Sequence, residues 1–410
     1  MIDPGRPYAV QLAARAAAIG TACVHAGDAH DPFTHAIEAP LVLSSAFGFE
    51  SAREAAGAFR GENEALIYGR WANPSVRALE AKLAALEGAE DACAAASGVA
   101  AVTGALLTIC EQGSHIVAPR AMYGESARLL RERLPRFGIT TTFVDATDPA
   151  AFAAAVRPET RVFYLETPAN PNLAITDIES IAGMAKGHGI VTMADNTFAT
   201  PFAQTPVELG VDLVLHSMTK ALGGHGDAIG GVVLGRKAEV GRIRDLIIKG
   251  MGGVLAPFNA FLISRGLRTF ALRQRQACET ASLLAARLAS HPRVERVYHP
   301  SLPSNAGHGI ASRQMHAYGS ILSFEVEGTQ QKSTLEVGRS VLEGVKLITH
   351  AVSLGDVRSL LVHPASTTHS TMPAETRAQA NIGDGLLRLS AGVETAEDLW
   401  QDLTQALARA

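Results

Sequence analysis

Between Asn73 and Leu234, short runs rich in β-branched and apolar residues alternate with stretches of helical periodicity, and few folds accommodate that alternation. The strand candidates are His115 to Ala118, Thr140 to Val144, Arg161 to Leu165, Ile190 to Met193, Val211 to Leu215 and Gly231 to Leu234. Helical patterns separate them at Ser126 to Phe137, Pro149 to Val156 and Ile178 to His188. Ahead of them, Pro74 to Leu86 carries Val76, Leu79, Leu83 and Leu86 on one helical face. Strands joined through helices lie side by side in parallel, so this span predicts an α/β fold, a mostly parallel sheet with helices on both faces. Ala92 to Cys110, built of small residues, reads as a tightly packed core helix after a glycine turn. After Pro257 the character changes. One long helix from Phe258 towards Leu288 leads to strands at Val294 to Tyr298, Ile321 to Val326 and Leu386 to Ser390, with helices at Thr334 to Leu342 and Ala396 to Ala408. That mixture predicts a smaller C-terminal α+β domain. Up to about Ile67 the chain reads as irregular, an arm rather than a domain, so the boundaries fall at 1–70, 71–257 and 258–410.

Bulk properties exclude several function classes. A net charge of -4 gives no electrostatic case for nucleic acid or an anionic membrane surface, so any anionic ligand must be held locally. Cys23, Cys93, Cys110 and Cys278 are far apart and form no C-x-x-C pair, which reads as reduced thiols in a cytoplasmic protein. Ala9 to Val24 is broken by Gln11 and Arg15 and is not read as a signal peptide; no stretch reads as a membrane span. His25, His30 and His35 recur every five residues with Asp28 and Asp31 between them, a spacing that suits neither one helix face nor a tetrahedral site. No metal is expected, and His363 and His369 are read as structural hydrogen-bonders.

The chemistry concentrates around His216-Ser217-Met218-Thr219-Lys220. A lysine at the end of a buried strand, beside two hydroxyls and ahead of Leu222-Gly223-Gly224-His225-Gly226-Asp227, is placed to lose part of its hydration. A partly neutral amine attacks a carbonyl, and a phosphate held by Ser217 and Thr219 beside it is the arrangement that pyridoxal phosphate requires. Asp195, in Asp195-Asn196-Thr197, follows another buried strand and points into the crevice where parallel sheets bind ligands; a helix cap is the alternative. Ser97-Gly98-Val99 opens a small-residue helix whose N-terminal amides suit a phosphate. Tyr68 and Arg70 supply further phosphate donors on the arm, and the ring of Tyr123 suits stacking on a planar cofactor. Arg388, inside the apolar Leu386-Leu387-Arg388-Leu389-Ser390, needs a partner: a substrate carboxylate or an internal acid.

Taken in order, Tyr68-x-Arg70, Asn73-Pro74, Ser97-Gly98, Tyr123-Gly124, Glu166-Thr167-Pro168-Ala169-Asn170-Pro171, Asp195-Asn196-Thr197, Ser217-x-Thr219-Lys220 and Arg388-Leu389-Ser390 resemble the Cys/Met-metabolism family of pyridoxal-phosphate enzymes, the trans-sulfuration enzymes. The resemblance covers nearly the whole chain and implies the PLP-dependent transferase fold of type I. It implies that Lys220 carries the cofactor, that Asp195 pairs with the ring nitrogen and that Tyr123 stacks on the ring. Ser97, Gly98, Val99, Ser217 and Thr219 would hold the phosphate, with Tyr68 and Arg70 reaching the phosphate of a neighbouring subunit in a dimer of dimers. Asn170 would lie near the cofactor's hydroxyl, and Ser353 and Arg388 would clamp the substrate carboxylate.

The implied reaction has Lys220 moving a proton at Cα and Tyr123 acting as acid at the γ-substituent. Elimination then gives a 2-oxo acid, ammonia and a thiol. Replacement, the alternative, is the reaction of cystathionine γ-synthase and of the O-acetyl- and O-succinylhomoserine sulfhydrylases. The surroundings of Glu166, Gly224-His225-Gly226-Asp227 and Ala351-Val352-Ser353-Leu354-Gly355-Asp356 are similar to methionine γ-lyases, so elimination from a sulfur amino acid is expected. Glu125 is a departure, because well-studied methionine γ-lyases carry cysteine there and many relatives glycine. An acid beside the leaving group is expected to disfavour an apolar tail and favour a polar or cationic one.

Overall fold

The computed structural model describes residues 1–410 apart from 4, 29, 32, 371–374, 376 and 378–380. Its larger sheet has seven strands: β1 (Asp91–Ala95), β2 (His115–Pro119), β3 (Thr140–Val144), β4 (Thr160–Glu166), β5 (Val191–Asp195), β6 (Leu213–Ser217) and β7 (Gly231–Gly235). They lie in the order β1-β7-β6-β5-β4-β2-β3. Every pair from β3 to β6 is parallel, and β7 runs antiparallel to both β6 and β1. Both faces are covered. One packs Phe163, Leu165 and Val214 against Leu79, Leu83 and Phe270, and the other packs Tyr164, Met193 and Leu215 with Leu106, Val240 and Ile247. The expected mostly parallel α/β sheet is therefore present, and all six strands read from the sequence are there within two residues.

The smaller sheet follows Pro257 and contains β8 (Val294–Tyr298), β9 (Ile321–Val326), β10 (Thr349–His350), β11 (Leu360–Val362) and β12 (Leu386–Ser390). Its order is β10-β11-β12-β9-β8, antiparallel except between β10 and β11. Leu322, Phe324, Leu387 and Leu389 pack on its helical cover with Leu284, Leu288, Val341 and Leu403.

Three expectations about elements need correction. The stretch Ala92 to Cys110 is not one helix: it begins as β1 and becomes helical only at Gly98–Ile109. Alanine favours helices, but the ladder to β7 and burial of Cys93, Ala94 and Ala95 override that local preference. Small residues are also required here, since a side chain at Gly231 would meet the Ser97 carbonyl at 2.1 Å. The long helix from Phe258 is two helices, Pro257–Leu267 and Phe270–Leu288. Arg273 interrupts it by donating to the Gly266 carbonyl at 2.8 Å and reaching across to the Ala221 carbonyl at 2.9 Å. Finally, the first 67 residues are not irregular throughout. Tyr8–His25 and Ala52–Arg60 are helices, and Leu12, Ile19 and Cys23 of the first are buried in the main core. The sparse apolar stripe of that alanine-rich helix is what hid it.

Among the described residues no helix is long and apolar enough to cross a membrane.

Candidate active site

The carboxyl ends of the parallel strands converge on one edge of the larger sheet, the place where such sheets gather functional groups. Asp195 is the last residue of β5 and is held on both oxygens. Oδ1 accepts from the Thr197 hydroxyl at 2.6 Å and the Thr197 N–H at 3.1 Å, while the Tyr164 hydroxyl lies 3.4 Å from Oδ2. Burial raises its pKa, and the Thr197 bonds counter part of that rise. The Thr197 hydroxyl also accepts the Ser217 N–H at 2.9 Å, which ties the end of β5 to the end of β6.

Beyond β6 the backbone turns at once: Lys220 N–H donates to Ser217 O at 3.2 Å, and Gly224 N–H to Lys220 O at 2.8 Å. The turn throws the Lys220 side chain towards the smaller sheet, where Nζ donates to Ser353 Oγ at 3.0 Å. Burial first, and the positive charge of Arg388 second, lower the pKa of Lys220, so more of it is neutral than in an ordinary lysine. The Thr219 hydroxyl exchanges bonds with Gly230, accepting its N–H at 3.1 Å.

Ser97 caps the helix Gly98–Ile109 by accepting Ala100 N–H at 3.1 Å. The amides of Gly98 and Val99, in the first turn, have no intrahelical acceptor. This helix end is pressed onto the lysine turn: a Cβ on Gly98 would sit 2.8 Å from Ser217 Cβ. First-turn amides and the Ser217 side chain thus share one small volume.

Arg388, on β12, is 3% exposed. Nη1 donates to Asn170 Oδ1 at 2.7 Å, Nη2 reaches the carbonyls of Val352 and Ser353 at 3.2 Å, and Nε is buried without a partner among the described residues. No ion pair to it occurs among the described residues. Burial lowers its pKa to about 10, with Glu166 pulling the other way. The Phe198 ring lies 5.8 Å from its guanidinium.

Tyr123 precedes the short helix Gly124–Arg128 and is 44% exposed. Its pKa is raised by burial, then by the charges of Glu125, Asp195 and Glu166. Glu125 itself is half-exposed, 3.5 Å from the Arg133 guanidinium.

Two predicted residues stand apart. Arg70 donates to the Lys249 carbonyl, and its guanidinium lies 5.8 Å from the Tyr68 ring, so this pair belongs to the neighbourhood of Lys249 and Trp71 within its own subunit. One residue was read only as part of a motif. Glu166, the last residue of β4 and in register with Asp195, accepts Tyr123 N–H at 2.8 Å on one oxygen and Asn170 N–H at 3.0 Å on the other. A carboxylate ending an apolar strand was the available signal. Among the described residues no group of three or more metal-ligating side chains occurs.

Residues 20–408 match the model of the Cys/Met metabolism PLP-dependent enzymes. The chain belongs to that family. It is a pyridoxal-phosphate enzyme of α/β fold, and its relatives carry out related reactions. An L-methionine gamma-lyase of Fusobacterium nucleatum subsp. polymorphum is 42% identical over 95% of this chain and 98% of its own. An O-succinylhomoserine sulfhydrylase of Pseudomonas aeruginosa is 37% identical over 96% of each. The solved structure of a cystathionine gamma-lyase from Lactobacillus plantarum, complexed with L-serine, superposes with a TM-score of 0.88 at 38% identity, covering 95% of this chain and 98% of that one.

Proposed function

We propose that this enzyme eliminates the γ-substituent of a sulfur amino acid, of the methionine, homocysteine or cystathionine class, releasing a 2-oxo acid, ammonia and a thiol. The observation that carries the reading is Arg388. A buried guanidinium beside Lys220 and Ser353, its Nε without a partner among the described residues, is a seat for a carboxylate on an amino acid whose α-carbon faces the lysine.

The residues present fit the family's cofactor. Gly98 has no side chain where a Cβ would collide with Ser217, so the helix end sits against the lysine turn, and the first-turn amides of Gly98 and Val99 with the hydroxyls of Ser97, Ser217 and Thr219 would hold the phosphate. Asp195 would face the ring nitrogen, Tyr123 would stack on the ring, and Asn170 would lie near its hydroxyl. Pyridoxal phosphate, when bound, withdraws electrons from the substrate's α-carbon. The chain supplies the rest. Arg388, with Ser353, binds and orients the substrate carboxylate. Lys220, already lowered in pKa, would hold the cofactor through its amine and, once released, would take the proton from Cα; a second proton must leave Cβ, whose electron pair expels the γ-substituent. Tyr123 keeps its phenol proton because its pKa is raised, and can give that proton to the departing sulfur. Glu125, two residues after Tyr123 and close enough for its charge to act on that phenol, would select for the tail of the leaving group.

Residues 1–70 serve as an arm that carries Tyr68 and Arg70 to the phosphate of a neighbouring subunit, in a dimer of dimers. Residues 71–257 hold the cofactor, and 258–410 complete the substrate pocket. Exposed Phe33, Ile37 and Leu43 on the arm, at 91%, 76% and 66%, support a covered position for it. The enzyme acts in the cytoplasm, its four cysteines being free thiols.

The second reading is γ-replacement on an activated homoserine, favoured by the 37% identical sulfhydrylase. One experiment tests both. The holoenzyme is given methionine, homocysteine, cystathionine and acylated homoserines, with and without sulfide, and 2-oxo acid is followed. Keto acid from the sulfur amino acid alone is expected; product only from an ester plus a thiol would replace elimination with transfer.

A further inference from the structure

Glu166 lies between groups that the reaction must keep aligned, although nothing in the proposed chemistry passes through it. It is 4% exposed, fixed by the β4 ladder, and beside Asp195 on the same face of the sheet. One carboxyl oxygen accepts the backbone N–H of Tyr123 and the other that of Asn170. Asn170 then uses its side-chain oxygen to accept from Arg388, which arrives from the smaller sheet. The next residue is pinned as well, since Ser323 of β9 donates to the Pro171 carbonyl at 2.7 Å. A continuous path runs from the residue under the ring-stacking segment to the guanidinium, through two hydrogen bonds.

We propose that Glu166 is a positioning residue: by holding Tyr123 and Asn170 through their backbone amides, it sets where Arg388 meets the substrate carboxylate. The inference rests on the role given above to Arg388. The plain alternative is a buried acid that only stabilises the turn at 166–170. A neutral acceptor would serve a turn at less expense. An acid buried next to Asp195 is unfavourable enough that the Glu166 carboxyl is pushed up to about 8, by burial and then by its neighbour. What the acid offers is two acceptor oxygens for two donors. The contact to Arg388 is relayed by Asn170 onto Nη1 and leaves Nε without a partner among the described residues.

The test uses the holoenzyme and two probes that cannot lose a γ-substituent: norleucine, which has a carboxylate, and pentylamine, which does not. Binding of each is read from the change in the cofactor's absorbance. Glu166→Gln keeps the shape but leaves one of the two amides without an acceptor. It is expected to weaken norleucine about tenfold while pentylamine stays within about twofold. Asn170→Ala should lower the same ratio, and the double variant should add little to either. Equal weakening of both probes, or an unchanged ratio, in Glu166→Gln would overturn the proposal. Should that variant fail to hold the cofactor, an unchanged ratio in Asn170→Ala overturns it instead. A wild-type enzyme that prefers norleucine but releases no keto acid from any sulfur amino acid would defeat the reading of the reaction and leave this one standing. A wild-type enzyme that shows no preference for norleucine would defeat the role of Arg388, and this inference with it.

Discussion

Two lysines and two arginines, buried or half-buried, separate scaffold from site. Lys82 is fully buried, and its Nζ is saturated: it donates to the carbonyls of Cys23 and Val24 at 3.2 and 3.1 Å and to Asp28 at 3.3 Å. Lys220 has a hydroxyl, Ser353, and a nearby cation. Arg244 is gripped by both oxygens of Asp91 at 3.0 and 3.1 Å, with Glu80 at 3.5 Å. Arg388 has carbonyl oxygens and no carboxylate. In Lys82 and Arg244 the charge is compensated by carboxylates of the same chain, although Arg273, another scaffold cation, is held by carbonyls and the Thr269 hydroxyl alone. Where a cation serves chemistry, compensation is left for a ligand to provide.

The contrast can be broken most forcefully at Lys220. Lys220→Ala should abolish the cofactor's bound-lysine absorbance and cut keto-acid formation on the order of 10³-fold or more, while thermal unfolding stays close to wild type. A large fall in melting temperature would put Lys220 with the scaffold. The arginines should then diverge. Arg244→Leu leaves Asp91 and Glu80 without their cation and is expected to cost about 3 kcal/mol of stability in urea unfolding with carboxylate binding kept, whereas Arg388→Leu, which takes the donor from the Val352 and Ser353 carbonyls, should cost about 2 kcal/mol and abolish carboxylate binding. Lys82→Met should lower stability by about 2 kcal/mol, since two carbonyls lose their donor, and leave kcat/KM within a few-fold.

A gentler probe is pH. With the pKa of Lys220 lowered, its neutral form gains as pH rises through a value below the ordinary lysine range. Cofactor capture by the apoenzyme, followed by absorbance, should therefore accelerate with pH and level off below about 10.4. A midpoint at or above that value contradicts the desolvated site. The smallest effect belongs to Glu125→Gln: a few-fold shift in KM between methionine and substrates with a cationic tail, and a stability change within about 0.5 kcal/mol, as expected of an exposed pair.

How much of this was legible beforehand depends on where the physical signal resides. β2 and β4–β7 announce themselves because strands covered on both faces must be apolar along their length, and the edge strand β3 through its β-branched threonines. β1 does not, since its alanines are chosen for thinness against the helix Gly98–Ile109 and carry no strand preference. Lys220, Asp195 and Arg388 stand out as charges at the ends of, or within, apolar runs. Glu166 has the same signature, but its work is done through backbone amides of Tyr123 and Asn170, and only the folded chain reveals which amides those are. The break near Arg268 is invisible for a similar reason, because it is enforced by Arg273 reaching a loop some fifty residues earlier in the chain.

That reach has a further consequence. Gly224 leaves a gap that the Arg273 guanidinium fills, since a Cβ there would lie 1.9 Å from Nη1. The loop behind Lys220 and the long helix of the C-terminal part are thus a lock and key within one chain. Neither can be exchanged alone. A chimera with a relative, joined anywhere between residues 224 and 273, would inherit a working lysine only if both parents share the glycine and the arginine.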